Sequence, residues 1–396
     1  MNFIQRAATM APPMRSHATS PPAAKPARAL AALASLCRLK LHAEVLIPAV
    51  LEALHQVVPS YRNLFDWTDE QGRLVRYFIE GPIDADIARL YFDEFHNRRD
   101  AEAMPRFDTL QRLPPGVRGA DELDHAGFFG SALYHEIWRP QGFHTRLEAV
   151  VRGRGGQLMG SLVLYRAPGE ARFTREEEVR LASVLPALAA GLQANGPAVA
   201  DDRHVPSPEA AETLLLTLQG QVCHASPGAQ RLLLMAEGGA SRDTLSRPLD
   251  LLGGPLLPML LARLRERARA PTEHAMAPPP SITHETSGGQ FVASGVLLRP
   301  QQPGQPDAAP LAQVTLRRLE PHRVALERAL RALPLTPGQT AVCRGLYHGH
   351  SHNQISGQLG VAPATVVDHV RKVYRALELH SALELRAALD GRIAGV

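Results

Sequence analysis

The chain has 396 residues, enough for two to four domains of ordinary size. Its apolar share of 45% suits a protein with a buried core, and its net charge of +4 tolerates an acidic partner without demanding one. Three cysteines, Cys37, Cys223 and Cys343, lie far apart without paired spacing, which argues against a disulfide framework and fits a reducing, cytoplasmic compartment.

Residues 1–27 are rich in Pro, Ala and Ser without periodicity and read as a disordered tail. Lys25 and Arg28 precede an apolar run, Ala29 to Cys37, that is too short to span a bilayer. Leu36 stands where a lipoprotein cleavage site needs a small residue, and Arg38 and Lys40 follow at once, so the run reads as the start of a helix. No later stretch approaches about eighteen unbroken apolar residues, so no membrane is expected. Leu30, Leu33, Cys37 and Leu41 share one helical face; Pro48 interrupts, and Leu46, Val50, Leu54 and Val57 resume the spacing.

Two strands, Tyr61–Trp67 and Arg73–Glu80, flank the turn Asp69-Glu70-Gln71-Gly72 and predict a hairpin. A helix is expected over Ile83–Asn97, whereas residues 100–127 remain ambiguous. A second hairpin, Phe143–Arg152 and Gln157–Arg166, surrounds Gly153-Arg154-Gly155-Gly156. Thr174-Arg175-Glu176-Glu177 has capping-box spacing and opens a helix carrying Val179, Leu181, Leu185 and Leu188. These elements make one unit over 28–194, and the Pro-rich stretch 195–211 reads as a linker.

A second unit spans 212–318. It should hold strands Glu212–Leu218 and Gln221–His224, a helix near Ser226–Met235, and a largely helical stretch over Leu249–Arg269. A strand Gln290–Leu298 follows, bracketed by Pro-rich loops at 277–280 and 300–310, and a last strand, Ala312–Arg318, ends the unit. Residues 319–334 are expected to form a connecting helix, centred on His322–Leu333, that stops at Pro334.

From Leu335 the chain is punctuated by helix caps. Thr336 can cap a helix with Pro337 at its first position, and Gly349 follows as a terminating glycine. Ser351-His352-Asn353-Gln354 is a capping box for a second short helix that Gly360 ends; Pro363 starts a third, and Ser381 caps a fourth. Short helices joined by a tight Gly turn fit a helix-turn-helix. In the third, Val366, Val370, Val373 and Leu377 form a face that must be buried. Ala364, Asp368, Arg371 and Arg375 lie opposite, flanked by Val367 and Lys372, and such an exposed cationic helix fits a major groove. Ser351, His352 and Asn353 offer a helix N-terminus for phosphate. Periodicity alone leaves open a helical bundle with no DNA role; caps, turn and motif together favour the DNA reader.

Residues 335–389 resemble the LuxR/NarL-type helix-turn-helix domain. The residues that carry the resemblance are Leu335-Thr336, Val342, Gly349 to Ile355, Leu359-Gly360-Val361, Thr365-Val366, His369-Val370 and Leu377. The resemblance implies that residues 335–396 form an all-α, four-helix domain binding double-stranded DNA as a homodimer, with the fourth helix a dimer contact. It implies readout chiefly through Val367, Asp368 and Arg371, with Thr365, Lys372 and Arg375 beside them. The family usually has Arg-Glu where this chain has Gly338-Gln339, Glu at Ala341 and Gln354, Lys at Val367 and Arg at Ala382. These departures predict fewer ion pairs inside the domain and one fewer cationic contact.

Residues 28–194 resemble a GAF domain, on the order of elements, on Gly160 to Tyr165, and on Phe173 to Glu177. Residues 212–318 resemble a PAS domain, on Gln219 to Val222 and on Ser226 to Ala229 leading into Leu232-Leu233. The fold class expected is therefore multidomain α+β, with two antiparallel-sheet domains before the helix-turn-helix. The resemblances imply sensory or dimerisation modules with a small-molecule ligand, for which Phe128, Phe129, Trp138 and Phe143 are wall candidates beside the plainer reading that they are core aromatics. RNA polymerase is a further expected partner.

Gly153 to Gly156 lies between strands, whereas a nucleotide loop leads from strand to helix. His348, His350 and His352 suit a solvated turn better than a metal site. The arginines at 263, 265, 267 and 269 read as a solvated helix face, with a second basic surface as the alternative. No nucleophile, base and orienting group occur in a recognisable pattern, so neither an enzyme nor a cofactor is expected. A pure interaction scaffold is the remaining alternative, and salt dependence separates it from a phosphate binder.

Overall fold

The computed structural model describes residues 26–69, 71–103, 109, 112–194, 203–269, 277–299 and 309–395. Most of the expected tail, the first part of the expected linker and most of the second Pro-rich loop lie outside them.

Helix α1 (Pro26–Cys37) begins slightly before the apolar periodicity, because proline at a first helical position forfeits no hydrogen bond. The break before α2 (Ala43–Leu54) falls near Lys40, which adopts φ 53°, and Pro48 lies inside α2 instead of ending it. An interior proline costs about 3 kcal/mol. The buried Val45, Leu46, Ile47, Val50 and Leu51 around it each return roughly 1.5–3 kcal/mol, so burial prevails.

The hairpin β1 (Arg62–Thr68) and β2 (Leu74–Ile79) leads to α3 (Ala85–Leu90), which continues as a π-helical turn over Tyr91–Phe95. The ambiguous stretch contains β3 (Gly116–Arg118), α4 (Ala120–Leu123) and α5 (Ala126–Phe129). The long hairpin β4 (Thr145–Arg152) and β5 (Leu158–Arg166) follows, and then α6 (Arg175–Gln193), opened by the predicted Thr174–Glu177 capping box. Pairing is antiparallel in the order β2-β1-β5-β4-β3.

Strand alternation divides this sheet. Leu147, Ala149, Val151, Leu162 and Leu164 pack beneath α1, α2 and α6. Helix α6 approaches α1 so closely that a Cβ on Gly191 would lie 2.9 Å from the Cys37 carbonyl oxygen. The other face encloses a cavity of about 130 Å³, lined by Asp66, Arg146, Glu148 and Ser161 on the sheet and by Ile87 and Ile137 opposite. Of the aromatic wall candidates, Trp138 and Phe143 border the cavity; Phe128 is buried behind Arg146, and Phe129 is not part of the wall.

Asp66 is half-buried on the cavity wall, and desolvation there, with Glu148 nearby, raises its carboxyl from 3.8 to about 8. Between those values the unfolded chain has released a proton that the native state keeps, so this residue lowers stability progressively as pH rises. Asp66→Asn is therefore expected to raise the melting temperature more at about pH 8 than at about pH 5. Equal shifts at the two pH values would contradict that protonation state.

The second unit comprises β6 (His204–Pro206), β7 (Glu212–Thr217), β8 (Val222–Ala225), α7 (Ala229–Ala236), α8 (Arg242–Ser246), α9 (Leu256–Arg269), β9 (Ser281–Thr286), β10 (Gly289–Leu298) and β11 (Leu311–Pro321). Its order is β8-β7-β11-β10-β9, which repeats the first sheet's plan, with β6 pairing on β11. Residues 204–206 thus belong to a sheet although the stretch reads as linker; a three-residue strand is too short for alternation to register. Leu232, Leu233, Leu260 and Leu264 from α7 and α9 pack with Phe291, Ala293 and Val314. The units meet at the edge of the first sheet: Tyr77 and Ala240 exchange backbone hydrogen bonds of 2.8 and 3.1 Å, which covers β2.

Strand β11 runs directly into α10 (His322–Arg331), followed by α11 (Pro337–Tyr347), α12 (His352–Leu359), α13 (Pro363–Leu377) and α14 (Ala382–Ala394). The fold is two antiparallel sheets with their helices, then an all-helical cluster. Among the described residues, no helix is long and apolar enough to cross a membrane.

Candidate nucleic-acid interface

Each C-terminal helix starts where the local chemistry directs. Thr336 Oγ1 accepts from the Gln339 amide, and Gln339 Oε1 accepts from the Thr336 amide at 2.8 Å. Ser351 and Gln354 repeat the arrangement at α12, again with a 2.8 Å return bond. Glutamine thus closes both boxes, and at Gln354 it does so where the family usually has an acid. Between α12 and α13, Gly360 takes φ +64°, the left-handed turn that glycine adopts without strain. Ser356 Oγ donates to the Val361 carbonyl at 2.6 Å and fixes that turn. Ser351→Ala should lower stability by about 1 kcal/mol through the lost cap. Thermal denaturation checks this, and an unchanged midpoint would mean that water replaces the hydroxyl.

Val366, Val370 and Val373 are buried against Val342, Cys343, Leu346, Ile355, Leu385 and Leu389, with Leu377 packed at the margin. The opposite face of α13 points outward. Thr365, Asp368, Arg371, Lys372 and Arg375 are exposed, and Val367 is half-buried. Lys372 Nζ lies 2.7 Å from Asp368 Oδ2 and holds that carboxyl below its usual range. Exposed pairs of this kind are weak, so a phosphate can recruit Lys372 at little cost. Among the described residues, Arg371 and Arg375 make no ion pair. Ser351, His352 and Asn353 are exposed at the start of α12, where backbone amides favour anions.

The neighbouring histidines make local contacts. His350 pairs with the Gln358 side chain at 3.2 Å, and its ring lies 6.0 Å from that of His348. Arg263, Arg265 and Arg267 of α9 donate to backbone carbonyls of Ser281, Leu218 and Ala277 within their own unit. Gly338 leaves room for His369: a Cβ there would lie 3.3 Å from Nε2.

The sequence marks 322–333 as a connecting helix that would couple the sheet units to the helical end, but it does not reveal what α10 touches. Ala325, Leu326, Ala329, Leu330 and Leu333 complete the core of α11–α14, whereas Val324 enters the core of the first unit. Arg344 of α11 donates to both carboxylate oxygens of Glu327 at 2.6 and 2.8 Å. Arg328 bonds Glu52 of α2 at 2.8 Å and also Glu320 of β11, and Arg331 reaches Glu52 at 2.5 Å. Arg323 donates to the Leu39 carbonyl at 2.7 Å. One helix therefore contacts both sheet units and the helical end. Its partners lie far away in sequence, so no local pattern announces them.

An apolar-backed helix following a capped helix and a left-handed glycine turn, with exposed cations outward, has the arrangement of a helix-turn-helix. Residues 333–387 match the family described as bacterial regulatory proteins, luxR family. This segment is a luxR-family helix-turn-helix domain of DNA-binding transcription regulators. No curated protein matches the chain. Among solved structures, the chain is similar to the GAF domain of cyanobacteriochrome TePixJ, at 14% identity and TM-score 0.27 over 40% of this chain and 92% of that one. It is also similar to the Vibrio cholerae VqmA dimer without target DNA, at 15% identity and TM-score 0.19 over 47% and 84% of the two chains. For the Vibrio cholerae VqmA–ligand–DNA complex, the values are 16%, 0.21, 48% and 85%.

Proposed function

We propose that the protein is a sequence-specific transcription regulator that binds double-stranded DNA as a homodimer under the control of its two sheet units. The observation that carries this reading is the outward face of α13, with Arg371 and Arg375 exposed on a luxR-family domain. Thr365, Val367, Asp368 and Arg371 face base edges in the major groove, while Lys372, Arg375 and the α12 start, Ser351 to Asn353, hold phosphates. Leu383 on α14 is 77% exposed and offers a dimer contact.

The GAF-like unit at 28–194 and the PAS-like unit at 212–318 act as sensory modules. A signal in either shifts the population of protomer arrangements, and α10 transmits the shift because it contacts both units and the reading head. The protein acts in the cytoplasm, with RNA polymerase as a further partner, and without catalysis.

The test is selection of genomic fragments on the purified protein. Enrichment of fragments sharing a two-fold-symmetric site, with affinity falling steeply with salt, supports the reading. Salt-insensitive binding or no enrichment under any ligand would overturn it. Glu52→Gln, which loosens the tie between α2 and Arg328 and Arg331 of α10, should leave DNA affinity intact but remove its dependence on signal; unchanged regulation would contradict that route.

A further inference from the structure

The wall of the cavity in the first unit contains more hydrogen-bond donors than the protein satisfies. Arg146 is 2% exposed, yet its Nε and Nη1 have no hydrogen-bond partner, and the Ser161 hydroxyl also has none. A Glu148 oxygen lies 3.9 Å from Arg146 Nε, beyond hydrogen-bond reach, and Arg118 draws on the same oxygen at 3.6 Å. The guanidinium sits 4.6 Å from the ring centres of both Phe128 and Trp138, which hold it in place. Asp66 stands opposite Ser161 across the β1–β5 register. It keeps its proton up to about 8 and so adds another O–H at neutral pH.

These groups converge because the pleat places them there. Residues 146 and 148 on β4, 161 on β5 and 66 on β1 alternate with apolar neighbours that point to the helical layer. An unsatisfied buried guanidinium is costly, and it calls for an acceptor. The guanidinium offers donors only, and the Ser161 hydroxyl can donate as well, so the missing partner accepts; a planar carboxylate pairs with a guanidinium in two-point fashion. The remaining wall includes Leu64, Ile87, Leu133, Ile137 and Phe143. The void of about 130 Å³ is close to the roughly 150 Å³ that accommodates one benzene ring.

We infer that this cavity binds a small organic carboxylate of about one ring's size, its oxygens on Arg146 and its apolar body against Trp138 and Ile137. The inference rests on the sensory reading of the first unit and specifies its signal by chemistry.

The full-length protein, without DNA, is titrated calorimetrically with benzoate, phenylacetate and cyclohexanecarboxylate, and with their neutral amides. At least one carboxylate should bind about tenfold or more tightly than its amide. Arg146→Met should erase that preference. Ala88→Leu, which fills the cavity from α3 without altering Arg146, should abolish binding of the same compound and serves if the first variant does not fold. The proposal is overturned if no carboxylate binds, if amides bind as well, or if either folded variant binds as the parent does. Because DNA is absent, such failure leaves the DNA-reading function untouched. A carboxylate that binds yet does not change affinity for a selected DNA site would keep the ligand and remove only the sensory coupling.

Discussion

Arg371→Ala is expected to weaken binding to the selected DNA site by about 10- to 100-fold, the loss of one good base contact worth about 1–3 kcal/mol. Arg371 is exposed and makes no ion pair among the described residues, so the substitution should leave the melting temperature unchanged. Arg375→Ala should behave differently. As a phosphate contact, it should weaken all sequences alike and lower the salt slope by about 1. Gel-shift titrations against specific and scrambled sites, at several salt concentrations, separate the roles. If Arg371→Ala weakens both sites equally, its contact is to phosphate; if it weakens neither, α13 is not the reading helix.

Leu330→Ala should be the most damaging single change in the helical end. Leu330 is 1% exposed within the core that α10 shares with α11–α14. Leucine truncation in such a core costs about 2–5 kcal/mol, part of it from the cavity left behind. Hydrogen exchange of the amides in α11 to α13 reads the effect locally. Exchange there should accelerate by the corresponding factor, while amides of α6 keep their protection. Unchanged exchange in α11 to α13 would mean that α10 is not an integral wall of that core.

The two ends of the chain differ in how much of this the sequence discloses. At the C-terminal end the information is local: Thr336, Ser351, Gly360 and Pro363 fix starts and stops within a few residues, and every one of these signals operates in the structure. The expected hairpins are present for the same reason, since their strands are adjacent and joined by short turns. Strand β9 escaped notice because Ser281-Ile282-Thr283-His284-Glu285-Thr286 is a largely exposed edge with a single aliphatic residue. Pro48 reads as an interruption within a continuing helical spacing because packing, which outweighs it, is not visible in one dimension.

The cavity illustrates a different limit. Arg146 and Glu148 alternating with Leu147 and Ala149 have the pattern of a half-solvated strand. Both faces are in fact covered, and the charged one borders an internal space. Aromatic residues drew attention to the right region, and Trp138 and Phe143 do line it, but the donors that give the site its chemistry look like ordinary surface residues until the second layer is in place. The ion pairs of α10 are hidden for a related reason, since Glu52 and Arg328 are 276 positions apart.

The absence of any loop between β11 and α10 also bears on how such a protein can be recombined. A chimera joined at Pro334 would strip the reading head of a helix that forms one wall of its core, leaving Val342 and Leu385 without their covering. A junction before His322 would carry that wall along, yet would sever the strand from which the helix springs and the acid, Glu320, that pairs with Arg328. Neither cut yields a free-standing cassette. Sensor and reader in this architecture are expected to diversify together, with new specificities arising by substitution on the outer face of α13 and in the cavity wall in preference to exchange of whole modules.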